Sequence, residues 1–286
     1  MATLFDPGLN VIDQMNRRAL PAAGLVEQVA ESPAGPQTYF AGGSGRDLWL
    51  LHGAGDHAGA WSRIVPPLMA AGRYRLVIPD LAGHGASAPF GGPLQMESLL
   101  SAIDAVAAGC GSARAIFAGN SFGAWLAFLQ VARDPARVER VIAINGGPIT
   151  GIRPDLSLTP ADRAEARRTW EALVDRSHWA VPDMILDEVI RKGREGALSR
   201  LCIANMRDYL LDGRIGEIQT PVDLIWGESD ALVPLDYARG LAAGLPNSRL
   251  TTVAACGHVP QMECPERFAS VLLGVLAAPP PEGREP

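Results

Sequence analysis

Lysine is nearly missing from this chain: Lys192 is the only one among 25 basic residues. Missing too is any apolar run of the roughly 20 residues that a membrane-spanning helix needs. Residues 1–16 hold no basic segment followed by an apolar one, so no secretory signal is expected. Cysteine is scarce and scattered (Cys110, Cys202, Cys256, Cys264), with no Cys-x-x-Cys pair, which argues against a thiolate metal site. Reduced, idle thiols in a cytoplasmic protein are the expectation. Excess positive charge is also lacking. The net charge of −6 argues against nucleic acid or an anionic membrane as the main partner. What remains, at 48% hydrophobic and 20% charged, is the composition of an ordinary globular protein. Its 286 residues allow one large domain or two small ones and a sizeable core.

No internal repeat is visible. Residues 1–24 suggest a short surface helix. Strands are expected at Leu25–Ala30, Gln37–Ala41, Asp47–Leu51 and Arg75–Ile78, and helices at Ala60–Ala71 and Leu94–Ala108. The run Arg114 to Phe128 reads as a buried strand, a sharp turn and an apolar helix, and Val138–Ile144 is a further strand. Strands alternating with helices of this length indicate a mostly parallel, doubly wound α/β sheet with helices on both faces. Sites in such sheets lie at the carboxyl ends of the strands. Between Pro148 and Gly216 the alternation breaks. Helices at Asp162–His178, Pro182–Arg194 and Leu198–Leu211 suggest a helical cap over the sheet. The alternation then resumes with strand Val222–Trp226, helix Leu235–Ala243, strand Arg249–Val253 and helix Pro265–Leu276. The expected organisation is a core of residues 1–147 and 217–277, a cap of 148–216, and a structureless Pro-rich tail of 278–286.

Gly119-Asn120-Ser121-Phe122-Gly123 lies at the strand-to-helix turn, the G-x-S-x-G arrangement that holds a serine exposed and strained. A serine hydroxyl needs an adjacent base, and the base an orienting partner. Two later strands end in Gly227-Glu228-Ser229-Asp230 and Cys256-Gly257-His258. Ser121 is therefore the candidate nucleophile, His258 the base, and Asp230, preferred over Glu228, the acid. Asp236 belongs to the first turn of its helix, where a carboxylate suits the dipole. An oxyanion hole needs two preorganised N–H donors. Phe122 supplies one candidate. The loop His52-Gly53-Ala54-Gly55 supplies the other, with Ala54 preferred and Gly55 second. His52 reads as a loop brace and His57 as a solvated histidine. No metal and no organic cofactor are implied.

Leu51-His52-Gly53-Ala54-Gly55, Pro79 to Ser87, the serine pentapeptide, Trp226 to Asp230 and Gly257-His258 together resemble the successive motifs of the α/β-hydrolase superfamily, in its serine-nucleophile branch. The resemblance implies that fold with its cap, and a structural rather than catalytic loop for Asp80 and His84. It points to esterases and to the C–C bond hydrolases of meta-cleavage products. The latter tend to carry a tryptophan after the histidine, where this chain runs Val259-Pro260, and a cap arginine, for which Arg191 is the counterpart in this sequence, though it reads more simply as a solvated one. The expected activity is cleavage of a carboxylic ester of a small or medium apolar substrate through an acyl-enzyme. C–C bond hydrolysis, acyl transfer, a non-hydrolytic cyclase and a binding protein on the same scaffold are the alternatives. Gly55, Asn120, Trp170 and Val259 are candidate pocket residues. The expected partner is a small molecule, with a homodimer left open.

Overall fold

The computed structural model describes residues 11–151, 156–178, 180–201 and 206–283. Eight strands make one sheet: β1 (Val26–Ser32), β2 (Gly35–Gly43), β3 (Arg46–Leu51), β4 (Tyr74–Pro79), β5 (Ala115–Asn120), β6 (Val138–Ile144), β7 (Val222–Gly227) and β8 (Ser248–Val253). Their order is β1-β2-β4-β3-β5-β6-β7-β8. β1 and β2 form a hairpin over a two-residue turn, which forces antiparallel pairing, and β2 runs antiparallel to β4. All other neighbours are parallel. The order reverses around β3, whose neighbours are β4 and β5. A crevice for ligands forms at such a switch point.

The helices are α1 (Val11–Ala22), α2 (Val65–Ala70), α3 (Met96–Cys110), α4 (Phe122–Arg133), α5 (Arg163–Leu173), α6 (Asp183–Glu195), α7 (Ala197–Arg200), α8 (Leu235–Gly244), α9 (Pro260–Glu263) and α10 (Pro265–Ala277). Because strand side chains alternate, each continuous apolar strand feeds two cores. Trp49, Leu51, Phe117, Val141 and Leu224 pack with α3, α4 and α8 on one face. Leu48, Leu50, Ile116, Ile142 and Ile225 pack with α1, α2 and α10 on the other. Each such side chain contributes roughly 1.5–3 kcal/mol by leaving water. One polar residue interrupts β7. Asp223, fully buried, pairs with Arg140 of β6 and with Arg249 of β8. Arg140 also donates to Val275 O and Ala278 O at 2.9 and 3.1 Å, so planar guanidinium forks close this end of the sheet.

Between β6 and β7 the chain leaves the sheet for α5, α6 and α7. Here Ala166, Val181 and Leu186 form a small separate core.

Several expectations need correction. The N-terminal helix is more than a surface helix, since Asp13, Arg17 and Leu20 are buried beneath it. Ala60–Ala71 is two pieces, a 3-10 turn at Ala58–Trp61 and α2, because Pro66 and Pro67 begin a new helix. Leu198–Leu211 is not one helix. α7 stops at Arg200, Leu201 bridges Leu94, and a 3-10 turn covers Arg207–Tyr209, residues 202–205 being outside the described ones. The tail is seated at its start through Ala278, and Pro281 is buried. Cys256 and Cys264 are not idle thiols but form a disulfide, removing the ground on which a cytoplasmic location was expected. Cys110 is a free thiol, and Cys202 lies outside the described residues. Among the described residues no helix is long and apolar enough to cross a membrane.

Candidate active site

Ser121 stands between β5 and α4 with φ 54° and ψ −114°, in a region that L-residues enter only under constraint. Its N–H donates to Ile144 O at 2.8 Å, tying the turn to β6. A Cβ on Gly119 would lie 2.3 Å from the Gly123 carbonyl carbon, and one on Gly123 2.3 Å from Leu51 O. Both glycines of the pentapeptide are thus required by close backbone approach.

Asp230 follows β7 and His258 follows β8, and both are 4% exposed. The two are joined by a 2.7 Å hydrogen bond between His258 Nδ1 and Asp230 Oδ2. Asn145 Nδ2 donates to the same oxygen at 2.7 Å, while Leu232 N and Val233 N donate to Oδ1 at 3.0 and 2.9 Å. Four donors therefore satisfy a carboxylate that burial would otherwise penalise. With Nδ1–H pointed at Asp230, Nε2 is left as the proton-accepting nitrogen. Glu228 is turned away and accepts from Thr252 Oγ1 at 2.7 Å, and Asp236 is exposed beside Arg239.

The Ser121 hydroxyl makes no hydrogen bond to another described residue. Contacts of this kind are commonly loose before substrate arrives. What joins the elbow to the histidine loop is Asn120, which donates to Ile144 O (3.2 Å) and His258 O (2.9 Å) and accepts from Gln261 Nε2 (3.0 Å). At 1% exposure Asn120 is a brace between loops rather than the pocket wall expected of it. The N–H groups of Ala54 and Phe122 donate to no other described residue. The two loops meet closely, since a Cβ on Gly53 would lie 3.5 Å from Ser121 Cβ.

The loop carrying Ala54 is fixed from beneath. His52 is buried, with Nδ1 2.8 Å from Gly53 O and Nε2 accepting from Leu81 N at 3.0 Å. Burial lowers its pKa to about 4, and that of neighbouring His84 to about 3. His57 is not the solvated histidine expected. It is 2% exposed, its Nδ1 accepts from Gly59 N, and its Nε2 lies 3.4 Å from Asp13 Oδ1 of α1. Burial depresses His57, but the carboxylates of Asp13, Asp56 and Asp80 outweigh it and raise the pKa. Asp80 accepts from Ala58 N and Ala86 N and pairs with Arg17, so it holds loops together. The single lysine also has a place. Lys192 of α6 reaches Asp13 at 2.6 Å and ties the helices between β6 and β7 to α1.

Above the site, Gly55 (φ 77°) sits under Leu198 of α7, and Val259 is half-buried directly after His258. Trp170 packs on the small separate core of α5 and α6 and donates to His178 O at 3.0 Å. Arg191 is paired with Glu188 and Glu195 on its own helix. Asn145 escaped the sequence reading; its one signature is an asparagine ending a strand, here at φ 50°. Among the described residues no group of three or more His, Cys, Asp or Glu is arranged to hold a metal ion.

A family model described as the alpha/beta hydrolase family matches residues 50–271. A 2-hydroxy-6-oxononadienedioate/2-hydroxy-6-oxononatrienedioate hydrolase of Pseudomonas putida is 30% identical over 79% of this chain and 86% of its own. A pimeloyl-[acyl-carrier protein] methyl ester esterase of Aromatoleum aromaticum is 29% identical over 80% of this chain and 98% of its own. Among solved structures, a meta-cleavage product hydrolase from Pseudomonas fluorescens IP01 superposes with a TM-score of 0.73 at 22% identity, covering 86% of this chain and 96% of that one. The eight-stranded sheet, the serine at its elbow and the span of the family match lead to one conclusion: this chain belongs to the alpha/beta hydrolase family.

Proposed function

We propose that this chain is a serine hydrolase that cleaves a carboxylic ester of a small or medium apolar substrate through a covalent acyl-enzyme. The observation that carries the reading is the buried 2.7 Å pair of Asp230 and His258, set at strand ends beside a serine held at φ 54°. His258 Nε2 takes the proton of Ser121 as Oγ attacks the acyl carbon, and the same proton then goes to the leaving alcohol. Asp230 fixes the ring and stabilises its charged form. The N–H groups of Ala54 and Phe122 hold the oxyanion, helped by the N-terminus of α4. Water activated by His258 then releases the acid. The methyl ester esterase among the relatives supports an ester substrate.

A second reading, hydrolysis of a C–C bond in a ring-fission diketone, is favoured by the names of other relatives. A panel of p-nitrophenyl esters, methyl esters and one ring-fission diketone separates the two. Ester cleavage is expected to show the higher kcat/KM. A kcat/KM at least tenfold higher for the diketone would move the assignment to C–C hydrolysis.

A further inference from the structure

The acid and base loops both complete their hydrogen bonding on the cap. Helix α5 ends at Leu173, and the last carbonyls of a helix have no partner within it. Ala231 N, next to Asp230, donates to Ala172 O at 2.9 Å, and His258 N donates to Leu173 O at 2.7 Å. The fit is close, since a Cβ on Gly257 would come 2.1 Å from Leu173 O. Just beyond, Asp175 Oδ2 accepts from Ser229 Oγ at 2.5 Å. The cap corner 172–175 thus seals both loops.

One side chain closes this corner. Glu263 lies at the end of α9, inside the segment that the Cys256–Cys264 disulfide closes into a ring around His258. Its side chain is 4% exposed. One oxygen accepts from Gly257 N at 2.6 Å, and the other from Asp175 N at 2.6 Å and from the His178 ring at 3.0 Å. Three donors from two separate segments converge on a single buried carboxylate, and one of them is the N–H of Gly257, the residue before His258. We propose that Glu263 is a positioning residue for His258, acting through Gly257 N–H and by clamping the cap corner to the histidine loop. The inference rests on His258 being the base.

An amide at this position keeps the shape but turns an NH2 group toward one of the backbone N–H donors, opening half of the clamp. A displacement of about 1 Å at a catalytic group costs on the order of 100-fold in rate. Glu263→Gln is therefore expected to lower kcat about tenfold or more, with KM within about twofold. It is also expected to shift the downfield imidazole N–H resonance of His258 in the NMR spectrum. Glu266→Gln, three residues on at the exposed start of α10, serves as the control and leaves both readouts unchanged. Should Glu263→Gln prevent folding, Glu263→Asp takes its place with the same readouts, since it keeps the charge but is too short to span both segments. Wild-type kcat and an unmoved resonance in a folded Glu263 variant would overturn the proposal. Ser121→Ala run alongside keeps the two readings apart: turnover surviving in that variant condemns the serine mechanism, whereas a dead Ser121→Ala beside a fully active Glu263→Gln condemns only the clamp.

Discussion

Asn145 gives one amide hydrogen to Asp230 Oδ2 and takes another from Gly227 N at 3.1 Å, so it holds the acid against the strand that presents it. A hydrogen bond to a charged group contributes about 1.5–3 kcal/mol. Asn145→Ala is accordingly expected to lower kcat by about 10- to 100-fold. Alanine is also strained at φ 50°, whereas glycine is not. Asn145→Gly therefore separates the effects, and steady-state kinetics beside thermal melting checks both. A kcat loss that persists in the glycine variant marks the side chain's role, and full activity in it would leave only backbone strain. At this scale the pairing of Asp230 with His258 and the strained turn at Ser121 were legible because each residue sits in a motif at a strand end. The sequence was opaque for Asn145, whose partner Asp230 lies 85 positions away, and for Glu263, whose bond to nearby Gly257 gains meaning only through Asp175, 88 positions away.

Elements were readable in proportion to how local their cause is. β6 falls on Val138–Ile144 as the apolar run dictates, and the elbow follows from two glycines and a strand-to-helix switch. The helix predicted over Leu198–Leu211 failed because long-range bonds end it. Leu94 N donates to Arg200 O at 2.8 Å, and the Arg200 side chain donates to Gly83 O and Gly92 O at 3.3 and 2.9 Å. The solvated His57 failed for a similar reason, since only the docking of α1 buries it. The disulfide was missed because eight residues of separation do not reveal that α9 turns Cys264 back onto Cys256.

For the whole molecule, the buried histidines set how stability responds to pH. His52 and His84 are neutral when folded, with pKa values of about 4 and 3, against about 6.5 when unfolded. Below about pH 6.5 the unfolded chain therefore binds more protons, and stability falls as the pH drops toward 4. The limiting slope for two histidines is about 3 kcal/mol per pH unit. His57 has the opposite sign: its raised pKa stabilises the fold fully below about 6.5, and that contribution fades as pH rises through the folded value. Asp13, held near 2 because His57 and Lys192 together outweigh the effect of burial, adds a loss only below about pH 4. Calorimetric melting should therefore show Tm highest near neutrality and declining steeply between pH 6.5 and 4, whereas a flat Tm over that interval would contradict the assignment of neutral buried rings.

The claim on which the account turns is that Ser121 is a nucleophile activated by His258, and covalent titration addresses it directly. A fluorophosphonate probe is predicted to add once per chain, on the peptide containing Ser121. The adduct should vanish in Ser121→Ala together with at least about 10³-fold of ester turnover, and should form far more slowly in His258→Ala. An adduct on another residue, or a Ser121→Ala variant that still turns over ester at the wild-type rate, would contradict it.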